Sequence, residues 1–210
     1  MTGLARTERS ALCDLFTEVG PDVPTLCEGW RAADLAAHLV VRERRPDAGV
    51  GALLKPLAPR LHRIQRGYAD LPWARLVDLV RTGPPCWAPF GIPAVDRAAN
   101  TVEFFVHHED VRRAQPGWEP RALPEETQEL LWRRLRSMSR LLLRGAPVGI
   151  ALRRPDGAIL RAHGGTSYVT LAGPPAELVL YAFGRGEHAR VELLGDERDV
   201  ARLAATRLGF

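Results

Sequence analysis

Glu103, His107 and Asp110 stand four and then three residues apart in the segment ANTVEFFVHHEDVRRAQ, residues 99–115. On a helix that spacing puts all three on one face, one turn above another. A carboxylate oxygen and an imidazole nitrogen so placed can reach a single cation. The acid three residues on can accept the proton of the other ring nitrogen, the arrangement that orients a ligating histidine. His38, in the earlier segment RAADLAAHLVVRERR, would complete a set of two imidazoles and one carboxylate. Three protein ligands with a position left for water or substrate is the composition of a catalytic zinc site rather than a closed structural one. The same donors also suit non-haem iron, nickel or manganese. His108 projects about 100° away from His107 and falls outside the set.

The plainer reading of these residues is an ordinary one. Helices rich in acids and bases are commonly solvated faces held by i,i+4 pairs, and a histidine on an apolar face is commonly a hydrogen-bonded core residue. Val102, Phe105 and Val106 flank the Glu103–His107 pair. They imply that it faces an apolar interior, where polar groups need partners and a metal is one way to supply them.

The elements that must position these side chains are legible as helices. Residues 4–19 carry Leu4, Leu12, Leu15, Phe16 and Val19 at helical spacing, and Gly20, Pro21 and Pro24 end the run. A second helix follows Trp30 and runs to Pro46, bearing His38 among Ala33, Ala36, Ala37, Val40 and Val41. Residues 50–82 are expected to be helical but interrupted at Pro56, Pro59 and Pro72, and TGPPCWAPFGIP is a loop. A helix over 95–115 carries the Glu103 motif and stops at Pro116-Gly117. A last long helix, LPEETQELLWRRLRSMSRLLLRG, has Pro124 for its first turn and Gly145 for its C-terminal cap.

Beyond Gly145 the pattern changes. VGIALRRPDGAILRAHGG is two short apolar runs joined by a turn signal, SYVTLAG and HARVELLGD read as strands, and PPAELVLYAFG and ERDVARLAATRLG as helices. The expected organisation is α+β: a helical domain over 1–146 and a small α+β domain over 147–210, the latter marginal by itself.

Composition excludes several classes. The net charge is only +4, and arginine carries nearly all the positive charge, Lys55 being the sole lysine. The arginines are scattered among acids, which is unlike the concentrated face of a nucleic-acid binder. Cys13, Cys27 and Cys86 are odd in number and far apart, fitting neither a disulfide framework nor a thiolate zinc site. No apolar run approaches the roughly 20 residues of a membrane span, so the expectation is a cytoplasmic protein with neither a nucleic-acid nor a membrane partner.

Taken together, three segments resemble one family. PTLCEGWRAADLAAHLVVRERRP looks like the threonine-cysteine-glycine-tryptophan segment and following D-L-x-x-H helix of the mycothiol-dependent maleylpyruvate isomerase family, which is similar in turn to DinB/YfiT-like metal-binding bundles. VEFFVHHED matches its E-x-x-x-H-x-x-D helix, and GPPAELVLYAFGR followed by VELLGD resembles its small sterol-carrier-like C-terminal domain. The resemblance spans nearly the whole chain, in the family's order. It implies a DinB-like up-down four-helix bundle with His38, Glu103 and His107 as metal ligands, usually to Zn2+. It also implies mycothiol or another low-molecular-weight thiol as cofactor, bound as thiolate, and a small electrophile as substrate, in a thiol-dependent isomerase or transferase. The proline-rich connection over 46–94 has no residue that matches the isomerase's pocket.

Other residues near these motifs have two readings each. Asp34, one turn before His38, is either its hydrogen-bond partner or an acid favoured at a helix start. Arg42, one turn beyond, would reach an acidic substrate or the thiol, or else form a surface ion pair with Glu43 or a nearby acid. Arg185, in FGRGEH, would bind an anionic ligand or lie in an exposed turn. Trp30 reads as packing, and Cys27, with no basic partner near it in sequence, as a small buried residue. Two further classes compete with the enzyme: a non-catalytic module binding metal or a small apolar ligand, and an anti-sigma-type regulator. The regulator lacks the expected cysteine one turn from His38.

Overall fold

The computed structural model describes residues 3–45, 47 and 58–209, which fall into two compact units, Met1–Glu119 and Pro120–Phe210. In the first unit α1 spans Leu4–Val19, α2 Ala32–Arg44, α3 Ala58–Ala69, α4 Trp73–Thr82 and α5 Pro93–Arg112. Pro56 and Pro46 lie outside the described residues. Pro72 is the residue before α4 and Pro93 the first of α5, positions where a missing N–H costs nothing. Pro59 sits in the first turn of α3.

α1 packs on α4 and α5, and α2 on α3 and α4. Leu12, Phe16, Leu35, Leu39, Leu76 and Phe104 are fully buried where these helices meet. Along α1 the buried face includes Glu8 and Arg9 beside Leu12, Cys13 and Phe16. Hydropathy periodicity passes over such residues, because it does not register a charge that is paired inside.

The second unit opens with α6, Glu125–Leu142, which packs on β2 and on α7. The contact boundary therefore lies ahead of this helix, whereas sequence character changes only after it, at Gly145. Pro124 caps α6 from outside its first turn, and the helix ends with Leu143 donating to the Ser139 carbonyl, so Gly145 lies past the cap. β1 (Gly149–Arg153) and β2 (Ile159–His163) form an antiparallel hairpin, β3 (Tyr168–Ala172) runs parallel to β1, and β4 (Glu192–Leu194) is antiparallel to β3. The strand order is β2-β1-β3-β4. β2 itself lies in the connection between the parallel strands β1 and β3, α7 (Pro175–Ala182) lies between β3 and β4, and α8 (Glu197–Ala204) packs on β3. The chain is thus α+β, a helical N-terminal region followed by a small mixed four-stranded sheet. No helix among the described residues is long and apolar enough to cross a membrane.

Candidate metal centre

α2 and α5 bring His38, Glu103 and His107 together. His38 Nε2 lies 3.5 Å, and His107 Nε2 3.4 Å, from the same oxygen, Glu103 Oε1. One donor atom from each residue lies within 4.8 Å of the other two. Donors bound at about 2.0–2.2 Å to a tetrahedral cation stand about 3.3–3.6 Å apart, so two edges of the triangle already have that length. The imidazole rings meet nearly edge to face, 5.5 Å between centroids. The His38 side chain keeps 31% exposure and Glu103 22%, so this side of the group is reachable by a solute.

The far side of His107 is closed. Its Nδ1 lies 2.9 Å from Oδ2 of Asp110, a side chain with no exposure, the partner geometry that fixes a ligating histidine's orientation. The three residues differ in charge for physical reasons. Burial lowers the pKa of His38 and its bond to Glu103 offsets this only in part, so this imidazole stands neutral. Burial also works against charge on His107, but its bonds to Asp110, Cys27 and Glu103 outweigh it and hold the group well above the ordinary imidazole range. Glu103 is pushed up by burial, yet the bonds from His107 and His38 and the charge of Arg42 keep its carboxyl well below the usual range.

The TLCEGW segment positions the surroundings. Trp30 N–H donates to the Cys27 carbonyl at 2.9 Å, closing a turn whose third residue, Gly29, has φ of +75°. Thr25 binds the Trp30 carbonyl through both its N–H and its hydroxyl, and Leu26 N–H donates to the Asp110 carbonyl on α5. This clamps Trp30 against His38, ring centroids 5.2 Å apart, and sets Cys27 Sγ 3.2 Å from Asp110 Oδ2. Cys27, Asp110 and His107 form a second compact donor group. The sequence reading of Cys27 as a residue lacking a basic partner is corrected: the partner is His107, eighty positions along the chain and invisible to local spacing. Gly29→Ala is expected to lower stability by about 1 kcal/mol in urea unfolding, although the added Cβ meets nothing within 4 Å. The cost comes from the backbone conformation alone, so Gly29→Asn should lose less.

Of the remaining predicted residues, Asp34 accepts from the Arg31 N–H at 2.9 Å and so caps the start of α2. Its described bond is the helix-start one. Arg42 does not pair with Glu43. Its Nε lies 3.1 Å from Glu103 Oε1, one terminal nitrogen donates to Asn100 Oδ1, and the guanidinium lies over the Phe90 ring at 4.6 Å. Glu43 is instead buried and held by both terminal nitrogens of Arg9. Arg185 belongs to the second unit, where it donates to the Phe183 carbonyl. His108 turns to Glu8, with Nδ1 2.7 Å from Oε2, both residues buried.

The sequence matches no protein-family model and no curated protein. Two solved structures share the fold. A crystal structure of a histidine-to-alanine variant of the mycothiol-dependent maleylpyruvate isomerase aligns with a TM-score of 0.62 at 18% identity, over 92% of this chain and 91% of that one. A crystal structure of the mycothiol-dependent maleylpyruvate isomerase aligns with a TM-score of 0.54 at 21% identity, over the same shares. At such identities the likeness establishes the fold: this chain is built as those proteins are.

Proposed function

We propose that this chain binds a divalent cation, zinc first among the candidates, through His38, Glu103 and His107. There it would carry out a thiol-dependent isomerisation or transfer on a small electrophile, with mycothiol or another low-molecular-weight thiol as cofactor. The observation that carries the reading is the convergence of two imidazoles and a carboxylate on one point, with a solute-accessible side and a buried Asp110 behind His107. The fold shared with structures of the mycothiol-dependent maleylpyruvate isomerase supports the thiol.

A cation held by those three groups would supply positive charge that stabilises a thiolate at neutral pH. The protein's own residues do the rest. Asp110 keeps the proton on Nδ1 of His107, which leaves Nε2 as the donor. Trp30 fixes the plane of His38. Arg42 holds Glu103 by the oxygen that faces both imidazoles.

Because His107 is charged at neutral pH without a metal, binding must displace its Nε2 proton. The expected result is zinc affinity that falls about tenfold per pH unit below the raised His107 pKa. His38, already neutral, adds a second proton only at lower pH. Competition with a chromophoric chelator at several pH values reads this directly, and a pH-independent affinity between 6 and 8 would contradict it.

The activity is tested by incubating zinc-loaded protein with mycothiol or glutathione and a panel of cis-alkenes, epoxides and quinones. The expected result is turnover that needs both thiol and metal. Metal binding without thiol-dependent turnover on any of them would leave a metal- or ligand-binding module instead.

A further inference from the structure

Arg42 is fixed beside the donor group to an extent that bonding Glu103 does not require. One terminal nitrogen donates to Asn100 Oδ1, the other to the Ala99 carbonyl at 3.4 Å, and the guanidinium is stacked on Phe90. Asn100 cannot turn to release it, because its own amide nitrogen donates to Glu43 at 2.7 Å and to Asp96 at 2.8 Å. Glu43 is locked in turn by Arg9. A guanidinium has five N–H donors; the two terminal nitrogens each donate once, and Nε lies 3.1 Å from Glu103 Oε1. The side chain keeps 21% exposure, close to that of Glu103.

A pinned cation next to metal ligands has an electrostatic price, since guanidinium and metal would share one carboxylate oxygen and repel each other. It also sets the charge of the site. With both histidines neutral as ligands, the groups in contact are Glu103 and Asp110, each negative, and Arg42, positive. Adding a divalent cation leaves a net +1, which one monoanion at the remaining position would cancel. We infer that Arg42 is an anion-selecting residue of this site: it weakens metal binding, and in exchange makes the open position take a monoanionic ligand, a thiolate or carboxylate, in preference to a neutral one. This deepens the metal-site reading above and rests on it.

Cobalt(II) gives a visible spectrum that reports both steps, so the unaltered protein, Arg42→Gln and Arg42→Lys are titrated first with cobalt and then with acetate or neutral imidazole. In Arg42→Gln, cobalt should bind at least about tenfold tighter, while acetate binds at least about tenfold more weakly and imidazole stays within about threefold. Arg42→Lys, which keeps the charge, should retain acetate affinity within about threefold of the unaltered protein. A variant that is merely misfolded would lose cobalt and both ligands together, so the opposed signs are diagnostic. Acetate affinity unchanged in Arg42→Gln, or falling in step with imidazole, overturns the inference and leaves the metal site standing. An unaltered protein that gives no cobalt spectrum overturns the metal site and the inference with it.

Discussion

Glu103→Gln is expected to weaken zinc binding by more than about a hundredfold. Glu103 Oε1 is the point on which both imidazoles and Arg42 converge. The amide is the same size but neutral, so the cation loses an anionic donor while Arg42 continues to repel it. Asp110→Asn, which leaves the three donors in place but alters the bond behind His107, should cost about 10–100-fold, the usual effect of removing such a partner. The ordering is the informative part. A chelator competition that finds Glu103→Gln and Asp110→Asn equal, or Glu103→Gln unchanged, would mean that this carboxylate is no ligand.

The second large effect is on stability and lies away from the candidate metal site. Arg9 on α1 is buried among the other helices of the first unit. It binds Glu43 on α2 at 2.6 and 2.5 Å and the Val80 carbonyl on α4 at 3.0 Å, and it covers the Phe104 ring on α5 at 4.1 Å. Arg9→Met should therefore destabilise the protein by about 3–5 kcal/mol, because Glu43, at 2% exposure, is left as a buried charge without its partner. Replacing both residues, Arg9→Met with Glu43→Leu, should recover most of that loss, since an apolar pair of similar volume avoids desolvating any charge. Urea unfolding of the two variants checks this. A double variant no more stable than the single one would show that Arg9 acts through Val80 and Phe104 rather than through Glu43.

These two predictions mark where the sequence was informative and where it was not. Glu103, His107 and Asp110 share one helix, so a spacing of four and three placed them on one face before any coordinates. His38 entered as the third donor that would complete the set, supported by the resemblance of whole segments, since nothing in local spacing says that α2 faces α5. The strands and helices after Gly145 were legible because apolar alternation and turn residues are local signals, the Arg154–Ala158 turn with Gly157 at φ +86° among them. What spacing could not convey was pairing across long stretches of chain. Arg9 with Glu43, His108 with Glu8, Cys27 with His107 and Arg42 with Glu103 each join residues 34 or more positions apart, and in sequence each looks like a surface charge or a spare thiol. Buried ion pairs defeat hydropathy reasoning for a simple reason: the pattern counts charge as exposed, and only the partner's position says otherwise. The division at Glu119 was similarly hidden, because α6 resembles the preceding helices in composition yet packs with the sheet.

In the proposed site, α2 and α5 hold one cation between His38, Glu103 and His107. Diffraction from crystals grown with zinc, recorded on both sides of the zinc absorption edge, tests it most directly. One strong anomalous peak is expected about 2.0–2.2 Å from a nitrogen of each imidazole and an oxygen of the Glu103 carboxylate. No peak at that point, or a peak bound through Cys27 and Asp110 with His38 uninvolved, would contradict it.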